Sequence, residues 1–375
     1  MFKIIFSRKA QDRARQTIAC DVIKEMRRFS IGDRGHAAFG KHGVKSMRTI
    51  HHNLLAAGLL LTALPARAQL VPGSMDVHWN AGAADCAASP PPPIQVHAYN
   101  AQTFILRENP CATLEAPFMY LLLGSAKALL IDSGDVADAH QMPLAQTVMA
   151  LLPEARPVKM PLLVVHTHSH LDHRLGDTQF AQMANVEVVP ADLEHVKKFF
   201  GFSDWPNGLA QLELGGRTID VIPTPGHNPN HVSYYDAQTG LFFSGDLFLP
   251  GRLIIDDATG DLASAQRVIE FIKNRPVSYV LGGHVELNAD GEASAFRSHY
   301  RPNERALQMT KQDLLALPGI IGSFNGFYSR HGVFVIYNQT RMLLACGFIL
   351  ITVLVICVVL LRGYLRRRKR ARIES

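Results

Sequence analysis

His166-Thr167-His168-Ser169-His170-Leu171-Asp172-His173 follows directly on the apolar run Pro161-Leu162-Leu163-Val164-Val165. The apolar run reads as a buried strand. Imidazole suits zinc, and a carboxylate adds a harder ligand beside it. His168, His170, Asp172 and His173 place four candidate ligands within six residues, too dense for core histidines that happen to pack together. Alternation on an extended backbone points His168 and His170 to one side. Asp172 and His173 fall on the following turn, where adjacent side chains are expected to diverge. That spacing serves two metals a few ångströms apart better than one. His166 reads as the end of the strand.

Outward from this segment, short strands and helices alternate without a periodic repeat. Strands are expected at Gln95–Tyr99, Thr103–Arg107, Phe118–Leu123 and Ala128–Ile131, with a hairpin signal at Gly124-Ser125. A helix is expected near Leu144–Leu152. Alternation continues through Val186–Val189, Leu193–Phe200, Thr218–Ile222, Val232–Tyr235, Leu241–Ser244, Leu262–Lys273 and Tyr279–Leu281, and a late helix at Arg305–Leu315. This is an α/β pattern with buried sheets.

The spacing H-x-H-x-D-H resembles the signature of the metallo-β-lactamase superfamily, over roughly residues 95–300. Later landmarks follow in order: Thr224-Pro225-Gly226-His227, Ser244-Gly245-Asp246 and Leu281-Gly282-Gly283-His284. The resemblance implies an αββα sandwich binding two zinc ions, in preference to iron or manganese. One zinc would take His168, His170 and His227; the other, Asp172, His173 and His284. Asp246 would bridge them with a hydroxide between, and Asp172 would also be catalytic, orienting that nucleophile. Asp132-Ser133-Gly134 matches the superfamily's Asp-x-Gly turn, whose Asp is structural. His231 corresponds to a supporting residue behind the ligands.

Ligand identity narrows the branch that the resemblance implies. Oxygen-reducing di-iron relatives carry Glu where this chain has His170, and true β-lactamases usually carry Cys or Ser where it has Asp246. The set is closer to thioesterases of the glyoxalase II type and to lactonases. No G-x-S-x-G elbow is visible. The expected activity is metal-dependent hydrolysis of a small ester, thioester, lactone or cyclic amide, β-lactams included. Two alternatives use the same residues: a metal-binding sensory ectodomain with vestigial catalysis, and a mononuclear-iron redox enzyme.

The ends read as addresses. Met342–Leu361 is free of charge and about as long as a bilayer-spanning helix. Arg366, Arg367, Arg368, Lys369, Arg370 and Arg372 follow, so 362–375 is expected to be a basic cytoplasmic tail and the body to lie across the inner membrane, in the periplasm. Leu54–Ala63 with Ala66-x-Ala68 reads as a signal peptide, 47–68, behind a basic leader, 1–46, that suggests a misassigned start. Between these ends come a Pro-rich lead-in, 69–95, a catalytic domain, 96–318, and a juxtamembrane linker, 319–341. The formal net charge of +6 is misleading, because residues 69–341 hold 18 basic and 27 acidic side chains. The body shows no basic stripe for a nucleic acid. Its two cysteines, Cys86 and Cys111, would pair in an oxidising compartment or stand as free thiols. Protein partners are not indicated.

Overall fold

The computed structural model describes residues 69–155, 158–295, 298–332 and 334–373. The leader, the signal segment and Cys20 lie outside the described residues.

The first sheet begins with β1 (Ile94–Asn100), β2 (Thr103–Glu108), β3 (Phe118–Leu123) and β4 (Ala128–Ile131), an antiparallel meander. Helix α1 (Leu144–Leu151) and a small ribbon, β5 (Glu154–Ala155) with β6 (Val158–Lys159), lead to β7 (Leu162–Val165). Strand β7 lies parallel to β4. Past a 3-10 turn at Leu171–His173, helix α2 (Asp177–Phe180) and β8 (Val186–Val188) complete the order β1-β2-β3-β4-β7-β8.

After helix α3 (Leu193–Phe200), β9 (Ala210–Glu213), β10 (Thr218–Pro223), β11 (Val232–Asp236) and β12 (Leu241–Gly245) form a second antiparallel meander. Strand β13 (Arg252–Ile254) leaves the sheet, helix α4 (Ala258–Ile272) crosses it, and β14 (Tyr279–Gly282) returns parallel to β12. Strand β15 (Gln308–Met309) closes this sheet. Helix α5 (Lys311–Gly322), β16 (Tyr328–His331), β17 (Phe334–Tyr337) and helix α6 (Gln339–Ile373) follow.

Strands buried on both faces build a four-layer stack. Leu129, Ile131, Leu163 and Val165 face Val221, Tyr234, Phe243 and Leu281 of the other sheet. The intervening Leu130, Leu162 and Val164 point outward onto Leu144 and Val148 of α1. On the far side, Phe242 and Val280 pack on Val268 of α4 and on Leu314 and Leu317 of α5. This is the order helix, sheet, sheet, helix that the period-two apolar runs demand.

Arg217, at the start of β10, ties the sheets together from inside. Its guanidinium pairs with Asp236 at 2.6 Å, both side chains being almost fully buried. It also donates to the carbonyls of Gln102 and Leu123 and to Thr103 Oγ1 in the first sheet.

Three expectations change. The late helix runs over Lys311–Gly322, not Arg305–Leu315, because Thr310 and Asp313 form a reciprocal capping box that fixes its start. The helix before β14 begins at Ala258, with Asp257 accepting from Gly260 N. Residues 319–341, expected as a linker, hold the end of α5, the β16–β17 hairpin and the first residues of α6. Strand β17 pairs in parallel with β13, which builds this stretch into the fold.

Helix α6 is long and apolar enough to cross a membrane by length and composition, and none of its residues is buried. It continues unbroken into the basic tail. Cys86 and Cys111 are joined as a disulfide, with Cα atoms 5.7 Å apart.

Candidate metal centre

The first sheet runs β4, β7 and β8 in parallel and the second runs β12 parallel to β14, and the site lies at the carboxyl ends of β4, β7, β12 and β14. Carboxyl ends of parallel strands leave a crevice that side chains from several loops can share. Strand β4 delivers Asp132, β7 delivers His168, β12 delivers Asp246 and β14 delivers His284.

Two clusters form there: His168 with His170 and His227, and Asp172 with His173, Asp246 and His284. In the first, His168 Nε2 lies 2.9 Å and His227 Nε2 lies 3.1 Å from His170 Nδ1. In the second, His173 Nε2 is 3.1 Å from Asp172 Oδ2, and His284 Nε2 is 3.1 Å from Asp246 Oδ2. Asp172 and His173 therefore converge instead of diverging, because the 3-10 turn carrying them swings both side chains inward. Asp246 Oδ2 lies 3.6 Å from His227 and 4.0 Å from His168, so one carboxylate reaches both clusters.

The donor set fits cations. Three ring nitrogens converge within hydrogen-bond distance, and protons cannot satisfy all of them at once. His173 Nε2 and Asp246 Oδ1 are buried without a hydrogen-bond partner. Burial holds His168 and His227 below the ordinary imidazole pKa, which leaves neutral rings with free lone pairs. Burial acts the same way on His173 and His284, but carboxylates outweigh it and raise both well above the ordinary value. Asp172, Asp132 and Asp246 act on His173, and Asp246 and Glu286 on His284. The second cluster is thus a place where positive charge is favoured.

Supporting groups fix the ligands. Asp132, with φ of 65°, accepts from Thr167 N at 2.7 Å through Oδ1 and sits 2.9 Å from His173 Nδ1 through Oδ2. His231 Nδ1 is 2.7 Å from Thr224 Oγ1, and its Nε2 accepts the Asp246 backbone N–H. His166 is buried and bonded to Asp177 at 2.8 Å. A side chain at Gly226 would collide with the Asp261 carboxylate, and one at Gly283 would fall 2.6 Å from His173 Cε1. Glycine before each of these histidines is therefore a packing requirement.

Sequence reasoning missed several groups. Asp261, buried in the first turn of α4 and pushed up to about 8 by burial, receives the His227 backbone N–H. Glu286 stands 3.4 Å from His284 Nδ1 and is held by Arg252 at 2.8 and 3.0 Å. A cleft of about 430 Å³ opens on the clusters, and Glu115, Asp135, Arg252, Ile254, Tyr337 and Gln339 contribute to its walls.

Glu108, behind the Asp132 turn, is pushed up to about 8 by burial, against the lowering effect of the Asp135 N–H it accepts. Its folded pKa exceeds the unfolded one, so folding favours the protonated acid. Stability attached to this group is intact below the unfolded value and is lost as pH rises toward about 8. Glu108→Gln, which mimics the neutral acid, should raise Tm at pH 9 and leave it nearly unchanged at pH 4.5. An equal shift at both pH values would rule out the titration.

Residues 112–284 match the family model described as Metallo-beta-lactamase superfamily. Acyl-coenzyme A thioesterase MBLAC2 of Gallus gallus is 27% identical over 202 residues, 45% of this chain and 72% of that protein. Hydroxyacylglutathione hydrolase of Glaesserella parasuis is 27% identical over 229 residues, 58% of this chain and 88% of its own. The same-named protein of Mesorhizobium japonicum is 28% identical over 115 residues, 28% and 45% of the two chains. The solved metallo-beta-lactamase from Pontibacter korlensis is 15% identical, covers 62% of this chain and 100% of its own, and has a TM-score of 0.41. Residues 112–284 thus carry a metallo-β-lactamase superfamily domain, and the proteins it is similar to include hydrolases of that superfamily.

Proposed function

We propose that the protein is an exported, membrane-anchored zinc hydrolase that cleaves an ester, thioester, lactone or cyclic amide, β-lactams included. The observation that carries this is the convergence of two ligand triads on the single carboxylate of Asp246. His168, His170 and His227 would hold one ion, and Asp172, His173 and His284 the other. Two divalent ions held there would supply Lewis acidity toward a carbonyl and activate water as a nucleophile near neutral pH.

The chain's own contribution is positioning and proton handling. Asp132 and Thr167 fix the ring of His173, and Glu286 faces the outer nitrogen of His284. Asp172, partly open to the cleft, would orient water and accept its proton. Two of the similar proteins, an acyl-coenzyme A thioesterase and a hydroxyacylglutathione hydrolase, favour an acyl conjugate as substrate.

Helix α6 would be the anchor. Its uncovered apolar surface suits a bilayer, and the arginine-rich end would be cytoplasmic. The disulfide between Cys86 and Cys111 fits a body in an oxidising compartment.

Elemental analysis of the purified full chain, beside assays on esters, thioesters, lactones and β-lactams, tests the reading. About two zinc ions per chain are expected, with His168→Ala and His227→Ala each emptying one site. Full occupancy in either variant would overturn the assignment. A zinc-loaded protein inert on the whole panel would make it a binding module.

A further inference from the structure

Hydrogen bonds tie the base of helix α6 to the segment after β13. Strand β17 ends at Tyr337, and the helix begins at Gln339. Between them Asn338 is buried: Nδ2 donates to Ile255 O at 3.0 Å, and Oδ1 accepts from Arg341 N at 2.7 Å. The Asp256 carboxylate accepts from Thr340 N at 3.2 Å and from Thr340 Oγ1 at 2.9 Å. These groups satisfy the otherwise orphan donors of the first helical turn. They also bolt that turn to the segment after β13.

The same ladder forms a wall of the cleft, through Ile254, Tyr337 and Gln339. Gln339 is therefore both a cleft residue and the first residue of the apolar helix. Met342, where the charge-free run begins, lies only three positions further on, a rise of about 4.5 Å. A bilayer whose hydrocarbon core covers Met342 onward sets its headgroup layer level with the cleft mouth.

The surface around the mouth suits that placement. Leu114 and Leu171, both lining the cleft, are 38% and 55% exposed. Phe327 and Tyr328 are also exposed beside the helix base, where Phe327 O accepts from Asn338 N and Tyr328 pairs with Tyr337. Aromatic side chains are favoured at this depth.

We propose that the substrate is a bilayer-borne amphiphile: an acyl ester or thioester whose chain stays in the leaflet while its carbonyl lies at headgroup depth, inside the cleft. This rests on the anchored-hydrolase reading and adds where the substrate comes from. A water oxygen bonds to the acyl carbon and the acyl C–O or C–S bond breaks. The acyl product, a carboxylic acid that sheds its proton, stays in the leaflet. The headgroup alcohol or thiol takes a proton and leaves to water.

The test uses the full chain in phosphatidylcholine vesicles with two thioesters of one thiol, an acetyl and a palmitoyl. Diluting the palmitoyl thioester with inert lipid at constant bulk concentration should lower its rate in proportion to its mole fraction. The soluble acetyl thioester should be unaffected and at least tenfold poorer in kcat/KM. A palmitoyl rate that follows bulk concentration, or a preference for acetyl, would overturn the proposal while leaving the hydrolase reading intact. Inactivity on both would overturn this proposal, and inertness on esters, lactones and β-lactams as well would remove the hydrolase reading with it. A second measurement does not depend on activity. With Cys20, Cys346 and Cys357 replaced by Ala, a fluorophore on Leu114→Cys should be quenched by headgroup spin-labelled lipid several-fold more than one on Ala126→Cys. Ala126 precedes β4, at the opposite end from Asp132. Equal quenching at the two positions would overturn the proposed placement.

Discussion

Asp172→Asn is expected to lower kcat by roughly a hundredfold or more, the range ascribed to a positioned acid–base group. Asn keeps the shape of the side chain and still offers an oxygen toward the cluster. It loses the negative charge that makes Asp172 a proton acceptor 3.1 Å from His173 Nε2. The KM should move much less, because ground-state contacts come from the cleft walls. Metal content must be measured beside the kinetics, since loss of an ion would mimic the effect. A variant that keeps both ions and near-normal turnover would reduce Asp172 to a ligand.

Arg217→Met is expected to cost about 3–5 kcal/mol of stability, the range for breaking one side of a buried ion pair. It strands the Asp236 carboxylate and leaves the carbonyls of Gln102 and Leu123 without this donor. Denaturant unfolding of the detergent-solubilised protein, followed by tryptophan fluorescence, should show a lower midpoint at an unchanged slope. Arg217→Met combined with Asp236→Asn should recover part of the loss, because the unpaired charge is gone. A single variant within 1 kcal/mol of the parent would mean that water reaches the pair.

Much of the site was legible because its ligands crowd into short segments. His168, His170, Asp172 and His173 announce themselves, and His227, Asp246 and His284 become recognisable in ordered company although each is weak alone. The strands were legible wherever apolar runs such as Phe118–Leu123 or Leu162–Val165 are buried on both faces. What failed to show were relations across long sequence separations. Glu286 looks like an ordinary charged residue until Arg252, 34 positions earlier, closes on it. Asp261 reads as the polar face of a helix until Gly226 and His227 pack against it. The stretch before α6 passed for a linker because its strand partner, β13, lies more than 80 residues upstream.

Each triad draws on both halves of the chain, His168 and His170 meeting His227, and Asp172 and His173 meeting His284. Asp132 through His173 follow the parallel strands β4 and β7 of the first sheet, whereas Asp246 and His284 follow β12 and β14 of the second. Neither half holds a complete triad, so ions held by the proposed ligands would bind only after the sheets have docked. Metal supply would thereby become a thermodynamic variable of the folded state. Free ion at a hundred times its dissociation constant would add about 2.7 kcal/mol per site to the cohesion of the two halves. Depletion would loosen the seam between the sheets as well as silence the chemistry, so metal scarcity would shorten the protein's lifetime along with its activity.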